Sequence, residues 1–350
     1  MLSYIMTKFF NSEKVFLLAE VAQSYEGSLE VALDTASKLI DAGADAIMFQ
    51  IVHADELATP QNNGYELFKK IELSEKNWKS IVDLVHEKQG KIFAEIFGCE
   101  TAALALRIGV DGFKIHTADL ANFRLLEFIG KTKIPLLLSV GGSHEEEIEE
   151  ALNILKLCGR SLTEDFILLH GYQRCPTEIK DTHLSKILAL KERFQVAVGY
   201  SDHVAGCLLG DIKNRHPHSY LLPILSLGTG ICLIEKHAML NRTKAWEDHE
   251  SALTPKEFEE FVKLVRELEQ ALGTQSLEMN EAEKAYRVTA KKHIVAKQNL
   301  EQGTKLTKDC LEFKRIENPK EGVINPQEVL GQILKVTLPK DHPIKREHLE

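Results

Sequence analysis

Apolar residues along this chain alternate between two textures. Short, near-continuous runs fall at Val15–Glu20, Ala46–Ile51, Lys91–Glu95, Gly112–His116, Pro135–Val140, Phe166–Gly171, Val196–Asp202 and Gly230–His237, as expected of strands buried on both faces. Between them, stretches such as Leu29–Ala42, Trp78–Lys88, Glu145–Leu157 and Phe258–Leu272 space their apolar residues at helical period. Gly43, Gly90 and Gly159 sit just past three of these helices, where a left-handed cap is expected. Eight strand–helix cycles within about 270 residues predict an α/β fold of the (β/α)8 TIM-barrel type rather than an open doubly wound sheet. The irregular stretch Lys213-Asn-Arg-His-Pro-His-Ser219 in the seventh cycle reads as a surface insertion.

The texture changes near Gly273. Residues 1–273 read as the barrel domain, the polar residues 274–285 as a linker, and residues 286–350 as a small β-leaning domain without a long helix. That last segment holds 13 Lys/Arg against 9 Asp/Glu, a net of +4, which leaves −13 of the overall −9 on residues 1–285. A basic module beside an acidic barrel either docks on it or covers an anionic ligand; an incidental split explains the counts as well.

A formal charge of −9 argues against a nucleic-acid binder that works by neutralising phosphates. The chain has no apolar run long enough to span a membrane, and its first residues lack the ordered basic and apolar regions of an export signal. Its six cysteines are scattered without metal-type or disulfide-type spacing, which suits a reducing cytoplasm.

Barrel architecture then selects candidates, because polar residues at strand C-termini form the functional rim. His203 in Tyr200-Ser-Asp-His203 and His237 in Ile234-Glu-Lys-His237 close the seventh and eighth runs. Those strands are neighbours in a closed barrel, and imidazole is the commonest protein ligand for a divalent metal. One such histidine alone reads as a core hydrogen-bonding group; two at matching positions read as a metal site. The same rule selects Glu20, Gln50, Glu95, Lys114, Thr117, Ser139, His170, Gln173, Ser201, Asp202 and Glu235. Lys114 is the candidate anion ligand, with a plain ion pair to Glu95 or Asp119 as the alternative. Ser139-Val-Gly-Gly142 offers either a phosphate cradle or simply a turn. Glu20 is either a base or sugar-orienting carboxylate, or the partner of a barrel lysine. Cys175 has no evident base to make it a nucleophile.

In order along the chain, these segments resemble the sialic acid synthase family, the phosphoenolpyruvate-condensing enzymes that make nonulosonic acids. The resemblance rests on Ala19-Glu-Val-Ala-Gln-Ser-Tyr-Glu-Gly-Ser28, Asp41-Ala-Gly-Ala-Asp-Ala-Ile-Met-Phe-Gln50, Gly112-Phe-Lys-Ile115, Leu138-Ser-Val-Gly141, Leu168-Leu-His170, Gly199-Tyr-Ser-Asp-His203 and Ile234-Glu-Lys-His237. His293-Ile-Val-Ala-Lys297 with Lys314-Arg315 resembles the family's antifreeze-like (SAF) domain. The resemblance implies a divalent metal, manganese or magnesium, held by His203 and His237. It implies an N-acyl amino sugar as acceptor and Glu20 at the reacting centre. Lys114, Thr117, Ser139 and Ser201 would then bind phosphoenolpyruvate, with Gln50 and Gln173 among the substrate contacts. Asp248 would lie beside the sugar, and Arg315 would be delivered by a partner subunit of a domain-swapped homodimer.

Departures from the family pattern gather where phosphoenolpyruvate should sit. Met48 stands where the family has a lysine, and Glu95-Ile-Phe-Gly98 replaces a Ser-Thr-Pro-Phe-like run, so that Ile96 also departs. Gln173-Arg-Cys-Pro176 replaces Asn-x-Tyr-Pro, placing Cys175 at the tyrosine, and Ser24-Tyr25 replaces Asn-His. Exchanging an ammonium for a carboxylate removes about two positive charges from an anion site, each worth on the order of a few kcal/mol when partly desolvated. Arg174 and His53 are the candidate replacements, and Glu95 is positioned in sequence to capture Lys114. Three readings follow: a synthase with rearranged ligands, a metal-dependent aldolase or lyase using a less charged donor, or a non-catalytic sugar-binding descendant.

Overall fold

A computed structural model describes residues 14–172, 174–208, 211–216, 218–243, 248–319 and 321–350. Eight parallel strands close into a barrel: β1 (Phe16–Ala22), β2 (Ala46–Ile51), β3 (Ile92–Ile96), β4 (Gly112–Ile115), β5 (Leu136–Ser139), β6 (Phe166–His170), β7 (Ala197–Asp202) and β8 (Leu233–His237). Each strand pairs with its neighbours in sequence, and β8 returns to pair with β1. This is the TIM barrel that the strand pattern predicts.

The strands read as continuous apolar runs because alternate side chains face two different cores. Outward residues such as Leu17, Ile47, Phe113 and Leu168 pack against the helices in the larger cluster. Inward residues Phe16, Leu18, Met48, Phe93, Leu137, Ile167, Leu169 and Leu233 fill the barrel's interior. Gly112 is small for a packing reason: a Cβ there would lie 2.1 Å from the Phe93 ring, which occupies its place. The helices begin where their caps dictate, with Ser28 and Ser74 accepting from the Val31 and Asn77 amides.

Two of the expected cap glycines have left-handed backbone, Gly43 and Gly159. At the third helix the left-handed residue is Gln89, and Gly90 is needed because a Cβ there would meet Ile40 Cδ1 at 2.4 Å. The stretch read as a surface insertion is not irregular. Asp211–Arg215 pairs antiparallel with Cys207–Leu208, and a helix then runs from His218 to Leu227. Among the described residues no helix is long and apolar enough to cross a membrane.

The chain divides into two compact units between Gly273 and Thr274. In the second, a helix over Glu281–Ala290 occupies most of a stretch that reads as linker and domain start. Its signal is Asn280, whose side chain accepts from the Glu283 amide while Glu283 accepts from that of Asn280. Then β9 (His293–Ala296) pairs antiparallel with β10 (Leu311–Lys314), over a small core that includes Ile294, Leu306, Val329 and Ile344.

Candidate active site

Above the apolar layers, the inward positions turn polar. Their partners follow from strand register, since residues directly opposite on parallel strands lie side by side. Gln50, Glu95 and Lys114 are opposite one another across β2, β3 and β4. Ser201 and Glu235 are opposite across β7 and β8, and Glu20 faces His237 across β1 and β8. Gln50 Nε2 donates to Glu95 Oε2 at 2.8 Å, and Gln50 Oε1 accepts from Gln23 Nε2 at 2.7 Å. Ser201 Oγ donates to Glu235 Oε1 at 2.5 Å.

Lys114 closes these rows into one cluster. Its Nζ lies 2.8 Å from Glu235 Oε1, 3.2 Å from Glu95 Oε1 and 3.3 Å from Glu20 Oε2, with every side chain at most 2% exposed. Burial alone would depress the ammonium, but Glu235, Glu95 and Glu20 together outweigh it and hold Lys114 well above the ordinary lysine range. Three carboxylates around one ammonium cannot all ionise cheaply. Burial raises the Glu20 carboxyl well above the usual range; Lys114 opposes the shift, and Glu95 and Glu235 add to it. Burial thus favours the protonated form of Glu20, whose Oε1 also accepts from the Ala22 amide at 3.0 Å. The alternative ion-pair reading of Lys114 thus holds in the structure, with Glu20 and Glu235 as partners in addition to Glu95.

At the rim, the rings of His203 and His237 lie 4.9 Å apart between centroids. Burial, reinforced by the Lys114 and Lys236 ammoniums, depresses His203 to about 3. His237 is held well below the ordinary value by burial and by His203. Both are neutral, the form that binds metal. His203 Nδ1 faces the Ser201 carbonyl at 3.3 Å, which can only accept, so its Nε2 carries the free lone pair. His237 Nδ1 is buried with no hydrogen-bond partner among the described residues. Cys175 completes a trio in which one donor atom from each residue lies within 4.8 Å of the others. Two neutral imidazoles, one of them with an orphaned buried nitrogen, and a thiol fit a divalent ion. The thiol is held up to about 12 by burial and by Asp248.

Beside this trio, the outward-facing positions of the same strands pair as well: Lys236 Nζ lies 2.5 Å from Asp202 Oδ2, and Tyr200 donates to Asp202 Oδ1 at 2.8 Å. Sequence reasoning passed over Lys236, although its register neighbour Asp202 was a candidate; both are fully buried. Cys175 was considered only as a nucleophile, and its nearness to the histidines depends on a loop path that no spacing reveals.

The expected phosphate side is built differently. Met48, at the family's lysine position, is fully buried among the apolar interior residues. Ser139 is buried at the end of β5. Thr117 Oγ1 donates to the Gly141 carbonyl at 2.6 Å, so its hydroxyl fastens the Gly-Gly turn. Gly141 is required by a close backbone approach, since a Cβ there would lie 1.7 Å from the Gly171 carbonyl oxygen. A cavity of about 560 Å³ opens at this turn, lined in part by His116, Thr117, Gly141, Gly142, Ser143 and Arg174. Arg174 is thus one cation on the rim; His53 is a helix N-cap instead. Asp248 is half-buried with left-handed backbone. Gln173 lies outside the described residues. Arg315 is exposed on the small unit just after β10.

The NeuB family matches residues 35–277, and the SAF domain matches residues 292–350. An uncharacterized protein of Methanocaldococcus jannaschii is 34% identical over 87% of this chain and 85% of its own length. The N,N'-diacetyllegionaminic acid synthase of Legionella pneumophila is 27% identical over 97% of this chain and 96% of its own. The crystal structure of N-acetylneuraminic acid synthetase from Leptospira borgpetersenii, in complex with citrate, superposes with a TM-score of 0.71 at 29% identity. It covers 80% of this chain and 93% of that one.

Proposed function

We propose that this chain, which belongs to the NeuB family, condenses phosphoenolpyruvate with an open-chain N-acylated amino sugar, water adding at C2 of the donor, to form a nonulosonic acid and release phosphate. The observation that carries this reading is the pair of neutral, adjacent imidazoles of His203 and His237, one strand away from Glu20, whose carboxyl burial holds well above its usual range. A divalent ion held by those histidines would supply Lewis acidity toward the sugar aldehyde; the family resemblance implies manganese or magnesium. Glu20 then holds the proton that the new alkoxide needs, 3.3 Å from an ammonium that stabilises the carboxylate left behind. Thr117, Ser139, Ser201, Gln50 and Gln173 are assigned to the donor. Arg174, on the cavity at the Gly141 turn, supplies positive charge in place of the lysine that Met48 replaced. Asp248 and an Arg315 delivered by a second copy in a domain-swapped homodimer are assigned to the sugar, and the exposure of Arg315 supports that role. The six cysteines are free, in keeping with a cytoplasmic setting.

One observation favours a second reading. Lys114, which the family resemblance assigns to the phosphate, is enclosed by three carboxylates, and this suits a metal-dependent aldolase with a less charged donor such as pyruvate. The test is to incubate full-length protein with divalent metal, a panel of N-acyl amino sugars and either donor, and to follow phosphate and product mass. Phosphate release matched by a nonulosonate supports the synthase. Product from pyruvate alone replaces it with the aldolase, and no product from either donor sinks both.

A further inference from the structure

We propose that Cys175 is a third protein ligand, so that the ion at His203 and His237 is bound by two nitrogens and a thiolate, and that the site favours zinc-like ions over manganese or magnesium. This rests on the metal-dependent reading above and deepens it.

The three residues are held together by backbone as well as by proximity. The loop after β6 is zipped to the segment after β7: the Thr177 amide donates to the His203 carbonyl at 2.8 Å, and Thr177 bridges to Val204. Thr177 Oγ1 also contacts the carbonyls of Tyr172 and Arg174 at 2.7 and 2.8 Å, fixing the turn that presents Cys175. Ser251 Oγ donates to the His203 carbonyl at 2.7 Å, and the Leu253 amide donates to that of His237 at 2.9 Å. Cys175 therefore sits two residues from a hydrogen bond to His203 itself. The second, independent observation is the buried Nδ1 of His237, which has no hydrogen-bond partner among the described residues.

The spacing is close to what an ion needs. Tetrahedral zinc with bonds near 2.0–2.3 Å separates its ligand atoms by about 3.3–3.8 Å. The three donor atoms lie within 4.8 Å of one another, so each separation needs to shorten by at most about 1.5 Å, within reach of χ rotations. Two imidazoles and one thiolate leave a fourth position open, the arrangement of catalytic rather than structural zinc. Softness sets the preference: thiolate suits zinc and its neighbours, whereas magnesium and manganese prefer oxygen. On binding, the Cys175 S–H bond breaks, the sulfur's electron pair goes to the ion and the proton goes to solvent.

The experiment is cobalt(II) titration of the metal-stripped, full-length protein, wild type beside Cys175→Ser, with bound metal counted by elemental analysis. Competition between zinc and manganese is measured on the same samples. The expected result is one cobalt per chain with a sulfur-to-cobalt charge-transfer absorption that Cys175→Ser lacks. Zinc should bind at least about 100-fold more weakly to that variant while manganese changes little, since even outer-shell changes cost 10–100-fold. Cobalt bound without that absorption in the wild type, and zinc binding unchanged in Cys175→Ser, would overturn the cysteine ligand and leave the two-histidine ion intact. No stoichiometric cobalt on the wild type would overturn both. The wild-type spectrum decides whether or not the variant folds.

Discussion

The β7–β8 side of the barrel mouth and the β2–β4 side carry buried polar residues to opposite effect. At β7–β8, His203 and His237 are neutral, and one buried nitrogen has no partner. At β2–β4, Lys114 is already satisfied by Glu20, Glu95 and Glu235, and Met48 has joined the apolar interior. Both sides present residue types that suggest ligand binding. On the first, an imidazole nitrogen remains open to a cation; on the second, the ammonium is already taken up by carboxylates. The difference teaches that a motif residue is available for function only if its register neighbours leave it so, because a buried ion pair and a ligand compete for the same charge.

The comparison breaks most sharply at the histidines. His203→Ala or His237→Ala should abolish metal retention and lower turnover on the order of 1000-fold or more, since Lewis acidity contributes several kcal/mol to the barrier. Full activity in either variant after metal stripping would show the rim is not a metal site. Next in size is Lys114→Met, which strands three carboxylates in the barrel. Removing one partner of a buried pair costs about 3–5 kcal/mol, a melting-temperature loss of roughly 10 °C for a domain of this size. A variant as stable as the wild type would mean the carboxylates are not ionised against Lys114.

The pH dependence of the metal-free protein sharpens the same contrast. His203 is depressed in the fold from 6.5 to about 3, so its contribution to stability is fully present above pH 6.5 and is lost as pH falls toward 3. Glu20 runs the other way: raised in the fold, it contributes fully below its unfolded value of 4.5 and loses that contribution as pH rises. Between pH 4.5 and 6.5 the two oppose each other; below 4.5 Glu20 no longer opposes His203. Denaturant midpoints should therefore fall most steeply below pH 4.5, and His203→Asn should flatten that slope by up to one proton, about 1.4 kcal/mol per pH unit. An unchanged slope would mean His203 is not buried neutral. Smallest is Arg315→Ala, expected to raise KM for the sugar about tenfold, as loss of a charge-assisted hydrogen bond should, without altering metal binding. An unchanged KM would remove Arg315 from the site.

Much of this was legible in the chain. Strands buried on both faces leave continuous apolar runs, so all eight barrel strands and the rim position of both histidines followed from pattern alone. The capture of Lys114 by Glu95 was legible in part, because consecutive strands pair in a barrel. Glu20 as the partner of a barrel lysine was an open alternative that the structure bears out, whereas Glu235 was not foreseen, since it reaches Lys114 only across the closed barrel. Cys175 escaped for a related reason: a loop brings it to the histidines, and loops carry no periodicity. The helix Glu281–Ala290 was missed although its capping pair stood in the sequence, because with every residue except half-buried Ala290 exposed it lacks the apolar stripe that marks a packed helix.

The most direct test is a calorimetric titration of phosphoenolpyruvate into metal-loaded wild type and Glu95→Gln, run side by side. If the metal side is open and the phosphate side is closed by Lys114's carboxylates, both proteins hold the ion equally. Glu95→Gln then binds phosphoenolpyruvate at least about tenfold more tightly, the effect of a change near 1.4 kcal/mol. Equal or weaker binding to Glu95→Gln would contradict the account, because Lys114 would then be free for the donor despite the carboxylates around it.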